Sequence, residues 1–293
     1  MKYFTLFILL LLTSCTNQRP DNKRLTDCYK LKVLTRLKHA AQPGEWREVY
    51  AEVHEPLNAY LAKHPPATTN KKSKLYVVQL GTFDQKGKQI LEDTKTYLSA
   101  FYQIQVAELI PIPTSAIPKM YTRQNSFGLQ FKTSVILDSL LPSLMPDSAF
   151  ALIAFSLYDL YPDDNWNFVF GQASLKNCVG VWSMARLGDY NLNDSLYKRC
   201  RQRTMNVAVH ETGHIFGIKH CVQNECCMNG SNSLSESDRQ PTWLCWECLA
   251  KVCLNRNTYP VNHISELLAF HTHVTQDKKQ IEYYSTALRL LKQ

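Results

Sequence analysis

The sequence predicts an α/β fold in which helices are layered on a mixed sheet. Three observations carry that expectation: strand-like and helix-like runs alternate from residue 74 onward, the series feeds one long helix at about 195–216, and cysteines crowd the segment that follows. The chain has 293 residues and is 45% hydrophobic, enough for a sizeable core.

The first element is a leader. "MKYFTLFILLLLTSC" has one Lys and then a mainly apolar run from Tyr3 to Leu12. About ten residues span only about 15 Å as a helix, half of a hydrocarbon core, so the run reads as an export signal peptide over 1–14. Leu12-Thr13-Ser14-Cys15 resembles the lipobox of bacterial lipoproteins, which implies cleavage before Cys15 and lipidation of that residue. An acylated Cys15 would hold an exported domain to a membrane surface, on the periplasmic or cell-surface side. The alternative is an ordinary signal peptide with an incidental Cys.

Residues 15–23 then read as lipidated Cys and polar tether, and 24–73 as a helical extension and linker. In the extension Trp46, Val49, Tyr50, Val53, Leu57, Tyr60 and Leu61 recur at three- and four-residue steps, predicting a helix with one apolar face that Pro56 interrupts or kinks. "HPPATTNKKSK" at 64–74 reads as the linker. The main domain, 74–293, opens with a buried strand at 74–83. A helix at 87–103, a strand at 104–113, a helix at 131–145 and a strand at 149–155 follow, and 167–173 with 178–185 predicts a hairpin. The formal charge of +8 is scattered without a long basic block, which speaks against a nucleic-acid partner.

On the long helix lies His210-Glu211-Thr212-Gly213-His214, an H-E-x-x-H motif. Residues four apart project from one helical face, so His210 and His214 can reach the same ion, while Glu211 can approach a water on it without taking a ligand position. Two incidental surface histidines would be the bland reading of the pentapeptide. Gly217 and His220 extend it to the longer signature of metzincins. A glycine can end the helix in the left-handed conformation, which lets His220 return as third ligand. Three neutral ligands leave one position open, where water acidifies toward about pH 7.

Downstream, Cys221, Cys226, Cys245 and Cys248 form C-x4-C and C-x-x-C pairs, suited to a four-cysteine structural zinc site. One or two disulfides are the alternative in an exported protein, and Cys227 and Cys253 are spare thiols that could replace a ligand. Two zinc ions per chain, one catalytic and one structural, follow from the first reading. Cys28, Cys178 and Cys200 stay unassigned.

"HETGHIFGIKHCVQNECCM", followed by "CWEC", resembles the archaemetzincins, whose pattern is H-E-x-x-H-x-x-G-x3-C-x4-C-x-M and then C-x-x-C. "DLYPDDNWNFVFGQA" and "VGVWSMARL" resemble the strands before that helix, so the likeness covers roughly 74–270. The spacer from Met228 to Cys245 is one residue shorter than the family's. The resemblance implies a zincin-like mixed sheet, His210, His214 and His220 on a catalytic zinc, Glu211 as general base, the four cysteines on a second zinc, and Met228 in the turn beneath the first site. The implied activity is a zinc-dependent metallopeptidase acting on peptide or protein substrates, endo- or aminopeptidase undecided, as a monomer. The contrasting reading is a zinc-stabilised surface lipoprotein that binds without catalysis. The hairpin at 168–185 is the expected cleft rim, and Tyr190 and Tyr259 are candidate oxyanion donors.

Overall fold

The computed structural model describes residues 22–293, so the expected signal peptide, Cys15 and the tether up to residue 21 lie outside the described residues. Residues 22 and 23 belong to a helix rather than the tether: α1 (Asn22–Lys30) buries Cys28, and Leu25 packs against the main core. No described helix is long and apolar enough to cross a membrane.

The extension differs from the expected amphipathic helix. Beyond α1 it holds a 3-10 turn over Leu31–Leu34 and two short α-helices, α2 (Trp46–Val49) and α3 (Leu57–Ala62). Pro56 stands at the N-cap of α3, extended at φ −68° and ψ 160°, so it starts a helix instead of kinking one. Tyr60 is buried, whereas Val53 is 86% exposed, so helical periodicity does not describe what this stretch buries. The extension is not a free appendage. Cys28, Leu31 and Tyr60 enter the main core, and Pro65 and Pro66 of the expected linker lie against Gly217.

The main sheet is built from β1 (Lys74–Leu80), β2 (Gln105–Glu108), β5 (Ala149–Ser156), β7 (Gly171–Ser174) and β8 (Val179–Ser183), in the order β2-β1-β5-β8-β7. Neighbours are parallel except β7, which pairs antiparallel with β8 and forms one edge. Every residue of β5, AFALIAFS, is buried, as expected for a central parallel strand covered on both faces. Its side chains alternate: Ala151, Ile153 and Phe155 join one core cluster, and Leu152 and Ala154 the other. Between β2 and β5 lie β3 (Thr122–Asn125) and β4 (Gly128–Lys132), which with β6 (Asp159–Tyr161) make a small second sheet that the sequence reading missed. The helix expected at 131–145 is present as α5 (Thr133–Val135) and α6 (Leu141–Ser143) joined by a π-helical turn over Ile136–Leu140.

One face of the sheet is covered by α4 (Gln85–Tyr102) and α7 (Asp194–Ile215). Asp84 caps α4 by accepting from Gly87 N at 2.7 Å, and Asn193 caps α7 by accepting from Leu196 N at 2.9 Å. After α7 come α8 (Leu234–Arg239), α9 (Trp246–Asn255), α10 (Pro260–Phe270) and α11 (Lys278–Leu291). Cys248, Leu249 and Val252 of α9, Ile264 and Leu267 of α10, and Tyr284 of α11 extend the same core around the cysteine segment.

Candidate metal centre

α7 ends beside the edge strand β7, and its last two turns carry His210, Glu211 and His214. The helix stops where Gly217 takes φ +77°. Gly217 N donates to the His214 carbonyl at 2.8 Å and Ile218 N to the Gly213 carbonyl at 3.0 Å, closing the last turn. A Cβ on Gly217 would lie 3.1 Å from Pro65 Cβ, so the turn is also tight against the extension. The chain then brings His220 back, with ring centroids 5.2 Å from His210 and 4.8 Å from His214.

Hydrogen bonding fixes which ring nitrogens face inward. His210 Nδ1 donates to the Cys227 carbonyl at 2.8 Å, His214 Nδ1 donates to the Ile218 carbonyl at 2.7 Å, and His220 Nδ1 donates to the Glu52 carboxylate at 2.8 Å. The Nε2 lone pairs of His210 and His214 are left 3.1 Å apart, and ligand atoms of all three histidines lie within 4.8 Å of one another. Converging lone pairs repel unless a cation lies between them. Tetrahedral zinc with bonds of about 2.0–2.1 Å sets nitrogens about 3.3 Å apart, so this donor set fits zinc. Burial holds His210 well below the usual imidazole range, with the neighbouring histidines adding to it, and burial also lowers His220. Low basicity keeps these rings neutral and available as ligands.

The four cysteines meet in the same way. Cys221, Cys226, Cys245 and Cys248 are buried with sulfurs within 4.8 Å of one another, and Cys221 and Cys245 stand 3.8 Å apart. Zinc–sulfur bonds of about 2.3 Å give a tetrahedral edge of about 3.8 Å, so this set fits a structural ion. Backbone and amide donors already point at the sulfurs: Cys245 N to Cys226 Sγ at 3.3 Å and Asn224 Nδ2 to Cys245 Sγ at 3.6 Å. Burial holds the Cys226 thiol well above its ordinary pKa, and contacts from Cys221 do the same for Cys245 and Cys248. Several thiolates can share this site only with a cation to offset them. Neither spare thiol belongs to the set: Cys227 lends its carbonyl to His210, and Cys253 lies against Cys28.

The three histidines and Glu211 line a cavity of about 660 Å³. Its walls include Trp46 and Tyr50 from the extension and Trp166, Phe168 and Phe170 from the segment leading into β7. Arg123 Nη2 fixes that segment by donating to the Trp166 carbonyl at 2.5 Å and the Asn167 carbonyl at 2.9 Å. Residues 168–173 border the cavity, where the hairpin was expected to form a rim. A Cβ on Gly171 would meet Glu211 Cγ at 3.5 Å, so the glutamate lies against the edge strand. Burial raises the Glu211 carboxyl above its ordinary pKa, while His214 opposes the shift.

Met228 is fully buried against α7, with Sδ 2.6 Å from where a Cβ on Gly213 would stand. Tyr190 and Tyr259 do not border the cavity, and Tyr190 lies instead beside Gly87 at the start of α4. The lining of the cavity therefore lends no support to their expected role as oxyanion donors. The residues that sequence reasoning missed are Trp46, Tyr50 and Glu52. No local signal marks them, since they meet the motif only through tertiary packing across some 170 residues.

Comparison with known proteins agrees with this geometry. Residues 132–254 match Peptidase family M54. Archaemetzincin-2 of Pongo abelii is 32% identical over 243 residues, covering 72% of this chain and 67% of that protein. The archaemetzincin of Archaeoglobus fulgidus is 35% identical over 147 residues, half of this chain and 82% of its own. The crystal structure of archaemetzincin from Methanopyrus kandleri superposes with a TM-score of 0.50 and 28% identity, covering 64% of this chain and 97% of that one. With the fold and both clusters of potential ligands in place, the chain belongs to the archaemetzincin family and is a zinc metallopeptidase.

Proposed function

We propose that His210, His214 and His220 hold a catalytic zinc, that Glu211 is the general base and acid of peptide-bond hydrolysis, and that Cys221, Cys226, Cys245 and Cys248 hold a second, structural zinc. The observation that carries this reading is the shared cavity: three inward-facing imidazole nitrogens and one half-buried carboxyl meet beside an edge strand. When bound, the zinc supplies a Lewis-acidic charge that acidifies water and polarises a carbonyl. Glu211 accepts the water's proton on its carboxylate and returns it to the leaving amine. One positioned carboxyl can make both transfers, because the proton it takes from water is the one it gives to the amine. An extended peptide can pair with the free edge of β7, which carries the scissile bond past Glu211. Trp46, Tyr50, Trp166, Phe168 and Phe170 offer apolar surface to its side chains.

Export and a membrane anchor through lipidated Cys15 complete the reading, supported by the leader's apolar run and the lipobox-like Leu12-Thr13-Ser14-Cys15. The deciding experiment is digestion of a mixed-sequence peptide library by wild type and Glu211→Gln. We expect a loss of about 100-fold or more in kcat with zinc content unchanged, the size of a missing general base. A variant that cleaves at the wild-type rate would remove Glu211 from the chemistry.

A further inference from the structure

The three histidines do not have equivalent support. His210 and His214 are oriented by carbonyls of Cys227 and Ile218, which lie close in sequence and within residues 132–254, the stretch that matches the peptidase family. His220 is oriented by a carboxylate 168 residues away, on the extension. Both Glu52 oxygens lie within 3.0 Å of His220 Nδ1.

Glu52 is itself held. Trp46 Nε1 donates to its Oε2 at 2.9 Å, and the Trp46 ring meets His220 edge-on at 4.8 Å between centroids. Trp46 in turn is fastened to the body of the protein. Its backbone N donates to Glu236 at 3.0 Å, and its ring lies so close over Gly230 that a Cβ there would be 2.5 Å from Trp46 Cδ1. Two neighbouring contacts tie down the same segment: Arg239 to Glu45 at 2.9 Å and Asn232 to the Gly44 carbonyl at 3.1 Å. His220 therefore gets its orientation from Glu52, which depends on Trp46 and on the seat formed by Gly230 and Glu236.

A carboxylate on the far nitrogen of a ligating imidazole fixes the tautomer, restricts ring rotation and increases electron donation to the metal. His220 needs this most, because it stands on a loop after the helix has ended, with no helical turn to hold its ring. From these contacts we infer that Glu52 of the N-terminal extension is a positioning residue of the catalytic zinc site. It locks His220 as the third ligand, so that the extension is part of the metal centre and more than a cover on the fold. The inference rests on the three-histidine reading above.

The test measures zinc affinity on the full chain, by competition with a chromophoric chelator, for wild type, Glu52→Ala, Glu52→Gln, Glu52→Asp and His220→Ala. His220→Ala identifies the zinc equivalent that belongs to the histidine site. For that equivalent we expect Glu52→Ala to bind about 10- to 100-fold more weakly, Glu52→Gln to fall between it and wild type because the amide oxygen still accepts from Nδ1, and Glu52→Asp to recover part of the loss. The unfolding midpoint of the zinc-free chain should stay within about 2 °C of wild type for Glu52→Gln, since a half-exposed side chain is being exchanged for one of equal size.

Wild-type affinity in Glu52→Ala, alongside loss of one equivalent in His220→Ala, overturns the role of Glu52 and leaves the histidine site standing. A His220→Ala chain that keeps every zinc at full affinity overturns the histidine site itself, and the inference with it. If Glu52→Ala and Glu52→Gln lose zinc-free stability in proportion to zinc affinity, Glu52 holds the fold and not the ligand, which also overturns the inference.

Discussion

Met228 lies directly beneath Gly213: a Cβ on that glycine would stand 2.6 Å from Met228 Sδ and 2.8 Å from its Cε. Gly213 is buried within α7, one residue before His214, and Met228 is 0% exposed, so neither side of the contact has room to give. Tyr102 Oη, which donates to the Val209 carbonyl, closes the third side at 3.1 Å. Two effects of Gly213→Ala oppose each other. Alanine gains about 1 kcal/mol of helix propensity, and overpacking costs about 1–3 kcal/mol. We expect overpacking to win, for a net loss of about 1 kcal/mol in denaturant unfolding. In a Met228→Ala background the space is open, and there Gly213→Ala should become stabilising. A substitution equally costly in both backgrounds would show that Met228 is not what keeps residue 213 small.

The cysteine set links two parts of the chain that share no backbone hydrogen-bond ladder: the loop after α7, through Cys221 and Cys226, and the start of α9, through Cys245 at its N-cap and Cys248 in its first turn. α9 packs against α1, α3 and α10, so its anchoring also positions the extension. Cys245→Ser should lose one zinc per chain and more than about 4 kcal/mol of stability, as expected when a structural metal is removed. Zinc content by mass spectrometry under native conditions, together with urea unfolding, measures both. If the site instead holds disulfides, thiol labelling under denaturing conditions will find the cysteines blocked and the zinc count will not change.

Much of this centre is local and was therefore legible in the sequence. His210, Glu211 and His214 need only a helix, and Gly217 needs only a left-handed residue at its end, observed at φ +77°. The all-apolar β5 declared a central strand for a similar reason, since burial on both faces removes the polar alternation. What stayed hidden depends on distant packing. Trp46 and Tyr50 reach the cavity, and Glu52 reaches His220, because α2 seats against Gly230 and Glu236, and nothing within ten residues of them encodes that seat. Helical spacing in the same stretch was misleading, because Val53 is turned to solvent while Tyr60 is buried. The β3–β4 hairpin was missed because "TRQN" has no apolar residue and the short "GLQFK", although it alternates, runs into the helix expected at 131–145.

Acid should weaken the fold through histidines that lie outside the metal centre. His263 is buried between α10 and α4, where its Nδ1 donates to the Phe101 carbonyl at 2.8 Å, and burial lowers its pKa from 6.5 to about 4. In the unfolded chain the same imidazole takes a proton near pH 6.5, so between 6.5 and 4 the unfolded state binds more protons. Stability from this group is therefore complete above about pH 6.5 and falls as pH drops toward 4, by about 3 kcal/mol in all. His271, also lowered by burial to about 4, adds a second loss of the same sign. His263→Gln keeps a side chain able to donate while removing the titration, so its stability–pH slope between 6.5 and 4 should be shallower than wild type by up to one proton, about 1.4 kcal/mol per pH unit. Acid release of zinc affects both chains alike and cancels in the difference. Parallel slopes for the two proteins would mean that His263 is already protonated in the fold, or that water reaches it.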